Sequence, residues 1–213
     1  MIWKLGCGYA VPETLTQIVQ QIGWQNVQLD EIVSTVRFLT PSVELHLGAV
    51  GKGYIVQAAA DYLRSTGVAC GLLHSGNSSI VAFGSPPEAE GWTVGLPDPQ
   101  VPTQQLATVT LHDYSLSTSG SLEQSVTIQG RRYSHLFDPR TGYPVEGPLS
   151  VSVLAPDAAE GDALATAFTL QGVDWTRAYC ESHPDIGAIF LLSEAAETKV
   201  LCIGDRRILA WIE

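Results

Sequence analysis

The polar run YSHLFDPRTGYPVEG, residues 133–147, places His135 and Asp138 three residues apart. An imidazole titrates near neutral pH, which suits it to removing a proton from an attacking hydroxyl. A carboxylate at this spacing across a strand end can face the same pocket and orient the ring, although such a pair also occurs as a purely structural contact. The run predicts a polar turn that carries a candidate catalytic pair.

A second run, HLGAVGKGY at residues 46–54, surrounds Lys52 with glycines at a predicted strand-to-helix junction. Gly51 and Gly53 let a ligand approach the backbone closely, and Lys52 together with a helix N-terminus offers positive charge to a phosphate. The spacing is not that of a P-loop, and a plain tight turn has the same composition. These three residues are candidate cofactor-binding positions.

Two further runs supply hydroxyl and carboxylate oxygens. The run SLSTSGS, residues 115–121, offers Ser119 and Gly120 as partners of a polar ligand, or else forms a surface turn. In EGDALATAF, residues 160–168, Asp162 and Thr166 lie four apart, so a helix stacks them on one face. Their oxygens suit Mg²⁺. The alternative is an N-cap aspartate with a threonine that faces the core.

Hydrophobic periodicity predicts the elements that must position these residues. Helical spacing indicates helices at 13–21, 54–67, 158–172 and 172–184, with Gly67 at a C-terminal cap. Short apolar runs between Gly, Pro and Asp indicate strands at 26–40, 68–74, 79–84, 92–99, 107–120, 124–139, 149–156, 186–194, 199–204 and 208–213. The pattern predicts one α+β domain over residues 1–213.

Composition narrows the function classes. The formal charge is −11, from 11 Lys and Arg against 22 Asp and Glu, so nucleic acid is not the expected partner. No run reaches the roughly 18 apolar residues of a membrane-spanning helix. The N-terminal residues lack a signal-peptide pattern, so we expect a cytoplasmic protein. The widely spaced Cys7, Cys70, Cys180 and Cys202 predict free buried thiols, or disulfides if the chain is exported.

In their order and separation, the runs LGAVGKGY, STSGS, RYSHLFDPRTGYP and GDALATA resemble the successive signatures of the ApbE family of flavin transferases. The resemblance covers residues 6–172 and implies a T-fold-like core of antiparallel strands with packed helices. It also implies FAD as substrate and Mg²⁺ as cofactor. The implied reaction moves FMN from FAD to a Thr or Ser hydroxyl of an acceptor protein, in a D-G-x-[ST]-[GA]-A-T type sequence, with release of AMP.

The resemblance also implies roles for individual residues. Asp162 and Thr166 match the family's metal-binding side chains, and Ala49 matches a ligand that acts through its backbone carbonyl. Lys52 matches a position that contacts the flavin nucleotide. His135 matches a histidine of the cofactor site that is proposed to help activate the acceptor hydroxyl.

The chain also departs from the family pattern. His46, Gln57 and Ser78 stand where relatives usually carry acids, and Asn77 replaces a glycine. Relatives usually have a longer N-terminal portion that contributes to the FAD site, so we expect weaker FAD binding here; many are exported lipoproteins. Two other functions therefore stay open: a non-catalytic flavin- or nucleotide-binding protein, and an FAD pyrophosphatase that gives FMN and AMP.

Overall fold

The structure is a computed structural model that describes residues 12–120, 125–128, 131–194, 197–209 and 212. The helices are Pro12–Gln21 (α1), Gly51–Ser65 (α2), Ala158–Gln171 (α3), Val173–Ser182 (α4) and Arg206–Leu209 (α5). The strands are Val27–Asp30 (β1), Thr35–Phe38 (β2), Gly71–Ser75 (β3), Ser79–Phe83 (β4), Trp92–Pro97 (β5), Gln105–Leu111 (β6), Ser115–Gly120 (β7), Val126–Ile128 (β8), Arg131–Tyr133 (β9), Ser150–Ala155 (β10), Gly187–Glu194 (β11) and Glu197–Ile203 (β12). A 3-10 turn at Leu47–Ala49 precedes α2.

A six-stranded sheet forms the centre of the fold, in the order β12-β11-β10-β7-β4-β3. All its neighbouring strands are antiparallel. The pairs β1–β2, β5–β6 and β8–β9 form separate two-stranded sheets. The predicted α+β fold, with antiparallel strands and packed helices, is confirmed.

The two faces of the central sheet carry different layers. Val151, Val153 and Ala155 of β10 pack with α3 and α4 on one face, because alternate residues of a strand point to the same side. Leu154 points to the other face and packs in a cluster with residues of the β5–β6 hairpin. Helix α2 joins the first face through Val56 and Ala60, which contact β4. The sheet is therefore sandwiched between helices and a hairpin.

Helices α2 and α3 cross at very short range. A Cβ built on Gly53 of α2 would lie 2.0 Å from the carbonyl oxygen of Ala158 and 2.8 Å from the Cβ of Asp162, both on α3. Only a glycine permits this approach, which brings the first turn of α2 against the first turns of α3. The glycine-rich run is thus a packing feature as well as a candidate ligand site.

Most predicted elements are present, and Gly67 has the expected left-handed conformation (φ +91°) directly after α2. The predicted closing strand, 208–213, is wrong at its start, because Ile208 and Leu209 belong to the short helix Arg206–Leu209. Their amides donate to the carbonyl of Asp205. Ile212 forms an isolated bridge to Val109 of the hairpin, and residues 210, 211 and 213 lie outside the described residues.

Cys70, Cys180 and Cys202 are free, and Cys7 lies outside the described residues. Burial raises the pKa of Cys180 to about 11 and also raises that of Cys202. Such thiols hold little thiolate near neutral pH.

Within the described part of the chain, no helix combines the length and the apolar character needed to cross a bilayer.

The helix crossing predicts that Gly53→Ala destabilises the protein by about 3 kcal/mol or more, because the added methyl must displace the backbone of α3. Gly51→Ala is the matched control, since a Cβ there meets only the Leu47 Cβ at 4.0 Å. Urea denaturation of both variants measures the difference. Equal midpoints for Gly53→Ala and Gly51→Ala would contradict the close crossing.

Candidate functional site

The N-terminus of α2 is capped by a carboxylate from another helix. Its N-cap residue, Val50, makes no side-chain cap, so the first amides of α2 need other partners. Asp162 of α3 accepts from the Gly53 amide at 3.0 Å, and its other oxygen accepts from the Ser79 hydroxyl at 3.3 Å. Asp162 is 5% exposed. A buried negative charge therefore lies at the positive end of the α2 dipole.

The N-terminus of α3 is capped in return. Asp157 is its N-cap residue and accepts from the amides of Ala159 and Glu160. The amide of Ala158 donates instead to the side-chain oxygen of Gln57 on α2, at 3.0 Å. The alternative in which Asp162 is an N-cap of its own helix is therefore wrong, because Asp162 caps α2.

Lys52 brings positive charge to the same helix end. Its exposed side chain extends to the Ser78 hydroxyl, to which the ammonium group donates a hydrogen bond. No ion pair joins Lys52 to the residues that the structure describes. The Lys52 charge thus lies at the N-terminal end of α2, a position that suits an anionic group such as a phosphate.

The predicted metal ligands fit a hard divalent cation by their chemistry. Each carboxylate oxygen of Asp162 accepts one described hydrogen bond and keeps a lone pair for a further partner. Thr166, half-buried, follows one turn later on α3, and the 3-10 turn that holds Ala49 contacts both α2 and α3. An all-oxygen set of one carboxylate, one hydroxyl and one carbonyl suits Mg²⁺ with bound water.

A cavity of about 650 Å³ opens between the β5–β6 hairpin and the central sheet. Its lining is mainly apolar and includes Leu72, Ile80 and Leu116, while Thr118 and Gly120 of the STSG run add small or polar groups. Among the described residues that line it there is no Lys or Arg. The cavity therefore suits a flat, uncharged ring better than a phosphate.

The cavity and the Lys52 region are neighbours. Asn77 lines the cavity, and the next residue, Ser78, accepts from Lys52. The Ser78 carbonyl also accepts from the Thr118 amide at 2.6 Å. Ser119 is half-buried, and strand alternation places its side chain on the opposite, helix-facing side of β7.

The segment that contains His135 forms a compact turn held by Asp138. The Asp138 amide donates to the Tyr143 carbonyl, and the Asp138 carbonyl accepts from the amides of Thr141 and Gly142. The turn closes on Gly142, whose φ is +75°. The His135 side chain is exposed at the start of this segment.

Asp138 is engaged by Arg140. Its two carboxylate oxygens accept from the Arg140 guanidinium at 2.7–3.1 Å, and one of them also accepts from the Arg140 amide. These hydrogen bonds hold the pKa of Asp138 below its ordinary value. These bonds shape the turn, and the expectation that Asp138 also orients His135 stays a prediction. Arg140 also reaches the Leu170 carbonyl at 3.5 Å, near the C-terminal end of α3.

The structure thus brings some of the predicted site residues together at the helix crossing and places the others at a different point of the fold. Lys52, Gly53 and Asp162 meet where α2 crosses α3. The His135 turn instead contacts the far end of α3. Sequence reasoning missed Ser79, a partner of Asp162, and no motif marks it. It noted Gln57 only as a departure from the family pattern.

These features define an α+β protein in which a helix N-terminus with a lysine and a buried carboxylate lies beside an apolar cavity. The chain belongs to the ApbE family, whose sequence model matches residues 2–190.

Two relatives show the extent of the similarity. The FAD:protein FMN transferase of Klebsiella pneumoniae is 35% identical over 196 residues, which are 89% of this chain and 60% of the relative. That of Treponema pallidum is 29% identical over 210 residues, covering 91% and 58% of the two chains. The chain thus spans about three fifths of the length of these relatives.

Solved structures agree on the fold. The ApbE protein of Thermotoga maritima superposes with a TM-score of 0.81 at 25% identity, covering 94% of this chain and 63% of that one. The flavinyl transferase ApbE of Pseudomonas stutzeri, at 24% identity, shows the same fold with a TM-score of 0.79, covering 97% and 63%.

The Asp138–Arg140 pair predicts a pH-dependent contribution to stability. Because folding lowers the pKa of Asp138, its contribution is present above the ordinary carboxyl pKa and is lost as the pH falls through the folded-state value. Arg140→Gln should therefore reduce stability at neutral pH and make little difference in acid. Thermal unfolding between pH 7 and about pH 2, below the lowered pKa of Asp138, measures this, with the exposed Arg177→Gln as control. A stability difference that persists unchanged in acid would contradict it.

Proposed function

We propose that this chain is a Mg²⁺-dependent FAD:protein FMN transferase. The reaction joins the FMN phosphate to a Thr or Ser hydroxyl of an acceptor protein, breaks the diphosphate bond of FAD and releases AMP. Membership of the family supports this proposal. The observation that carries it is the buried Asp162 at the N-terminus of α2, where a carboxylate, the Lys52 ammonium group and the first turn of a helix come together.

Each part of the site would serve one part of the substrate. Lys52 would bind the diphosphate through its charge, and the Gly51 and Lys52 amides of the first turn of α2 would donate to it, while the Gly53 amide keeps its bond to Asp162. Asp162, Thr166 and the Ala49 carbonyl would hold the cation. When bound, that cation supplies charge neutralisation at the diphosphate. The apolar cavity beside Asn77 would take an uncharged ring of FAD.

The remaining residues would act on the acceptor. His135 would take the proton of the acceptor hydroxyl as the new phosphate bond forms. Asp138 would act indirectly, since its bonds to Arg140 fix the turn that presents His135. The exposure of His135 supports this role, because an acceptor protein must reach it from solution.

A second function, flavin or nucleotide binding without turnover, is favoured by one observation. The neutral Ser78 and Gln57 stand where relatives usually carry acids, and Ser78 is the partner of Lys52. With fewer carboxylates near the cation site, metal binding would be weakened more than anion binding. The two functions differ in whether AMP is produced.

The direct test is to incubate the protein with FAD and Mg²⁺, with and without a D-G-x-[ST]-[GA]-A-T type peptide, and to measure AMP. AMP that requires the peptide supports the transferase. AMP without the peptide indicates a pyrophosphatase, and FAD binding without AMP indicates a binding protein; either result rejects the transferase.

Asp162→Asn is the variant for this assay. It keeps an oxygen for the Gly53 amide and removes the charge, and we expect it to abolish the Mg²⁺-dependent rate. Asp162→Ala is less suitable, because it leaves the buried Ser79 hydroxyl and Gly53 amide without their acceptor and destabilises the fold. An unchanged metal dependence in Asp162→Asn would reject the assignment.

His135→Ala is expected to lower the transfer rate about a hundredfold while FAD affinity changes little, which is the usual effect of losing a positioned general base. His112→Ala is the control. His112 is also exposed, but it pairs with Asp113, which in turn pairs with Arg64 in the last turn of α2. A loss of FAD affinity without a loss of rate would make His135 a binding residue.

A further inference from the structure

Helices α2 and α3 cap each other in a reciprocal way. Asp162 on α3 accepts from the Gly53 amide in the first turn of α2, at 3.0 Å. Gln57 on α2 accepts from the Ala158 amide in the first turn of α3, also at 3.0 Å. Each helix therefore supplies a side chain that satisfies an N-terminal amide of the other, and such amides have no partner within their own helix.

The four residues form a regular arrangement. Gly53 and Gln57 are four apart on α2, and Ala158 and Asp162 are four apart on α3, so each pair lies on one face of its helix. The two hydrogen bonds therefore lie about one turn apart along the crossing, on either side of the Gly53–Ala158 contact. Two bonds at separate points fix the rotation of one helix against the other, which a single bond does not.

Gln57 is itself held in place. Its amide nitrogen donates to both oxygens of Asp61, at 3.2 and 3.4 Å, and Asp61 accepts from Arg64 at 3.0 Å. The Gln57 side chain thus accepts a hydrogen bond from Ala158 through its oxygen and donates to Asp61 through its nitrogen. A carboxylate at position 57 could still accept from Ala158, but it would face the like charge of Asp61.

We propose that Gln57 is a positioning residue for Asp162. By holding the first turn of α3 against α2, the Gln57–Ala158 bond sets where the Asp162 carboxylate lies relative to Lys52 and the 3-10 turn of Ala49. This inference rests on the proposed function, in which Asp162 holds a divalent cation. Residues that orient a metal ligand commonly change metal affinity about 10-fold to 100-fold when they are replaced.

Binding of Mn²⁺, a spectroscopic substitute for Mg²⁺, tests the proposal without turnover. Free Mn²⁺ is counted by electron paramagnetic resonance while the protein is titrated. Gln57→Met keeps the length and helix preference of the side chain but removes the acceptor, and we expect about tenfold weaker binding. Gln57→Glu keeps the acceptor and should bind within about threefold of wild type. Asp61→Asn leaves the Ala158 bond in place and should not change the affinity.

A second readout is independent of metal. If Gln57 positions Asp162, Gln57→Met should speed the hydrogen exchange of the Gly53 amide, measured by NMR, and Gln57→Glu should restore its protection. Should Gln57→Met fail to give a native circular dichroism spectrum, Gln57→Asn replaces it, since its shorter amide cannot span the same distance.

These outcomes distinguish the positioning role of Gln57 from the cation site of the proposed function. Wild-type affinity and unchanged Gly53 exchange in a folded Gln57→Met protein would overturn the positioning role, as would equal losses in Gln57→Met and Gln57→Glu. If wild type and Asp162→Asn bind Mn²⁺ equally, the cation site of the proposed function is wrong. Faster Gly53 exchange in Gln57→Met would in that case still establish that Gln57 holds the crossing.

Discussion

The close crossing of α2 and α3 is the constraint on which the candidate site depends. Gly53 lets the two backbones meet, and Asp162 and Gln57 then satisfy helix amides that the approach would otherwise bury without partners. A buried amide without a hydrogen-bond partner lowers the stability of the fold by about 1–3 kcal/mol. The close approach that Gly53 permits is therefore stable only with Asp162 and Gln57 in place. The packing requirement and the candidate chemistry fall on the same residues.

The crossing also explains how an acidic protein could bind the anionic substrate that we propose. With a formal charge of −11, the chain as a whole repels a diphosphate. At the start of α2, however, the helix dipole and Lys52 supply local positive charge, while the Asp162 carboxylate is buried behind the first turn. A divalent cation held by Asp162 would add to this local field. The remaining acidic groups act at longer range and are screened by salt.

Local patterns in the sequence predicted most of the helices and strands, the glycine after α2 and the shared helix face of Asp162 and Thr166, because each depends on neighbours within a few residues. The sequence did not predict which atoms meet across the fold: Asp162 and Gly53 are 109 residues apart. Asp138 has a described partner, Arg140, only two residues away, and the sequence motif did not predict that pair. Segment 208–213 has an apolar strand-like composition, but its first two residues end the short helix Arg206–Leu209, whose amides at Ile208 and Leu209 donate to the Asp205 carbonyl.

Anomalous diffraction from crystals grown with Mn²⁺ and ADP would locate both ligands relative to the helix crossing. We expect a manganese peak within coordination distance of the Asp162 carboxylate, with the ADP phosphates between that peak and Lys52, while the Gly53–Asp162 hydrogen bond is retained. A manganese peak on other residues, or phosphates bound away from the N-terminus of α2, would show that the helix crossing is only structural and that the reactive site lies elsewhere.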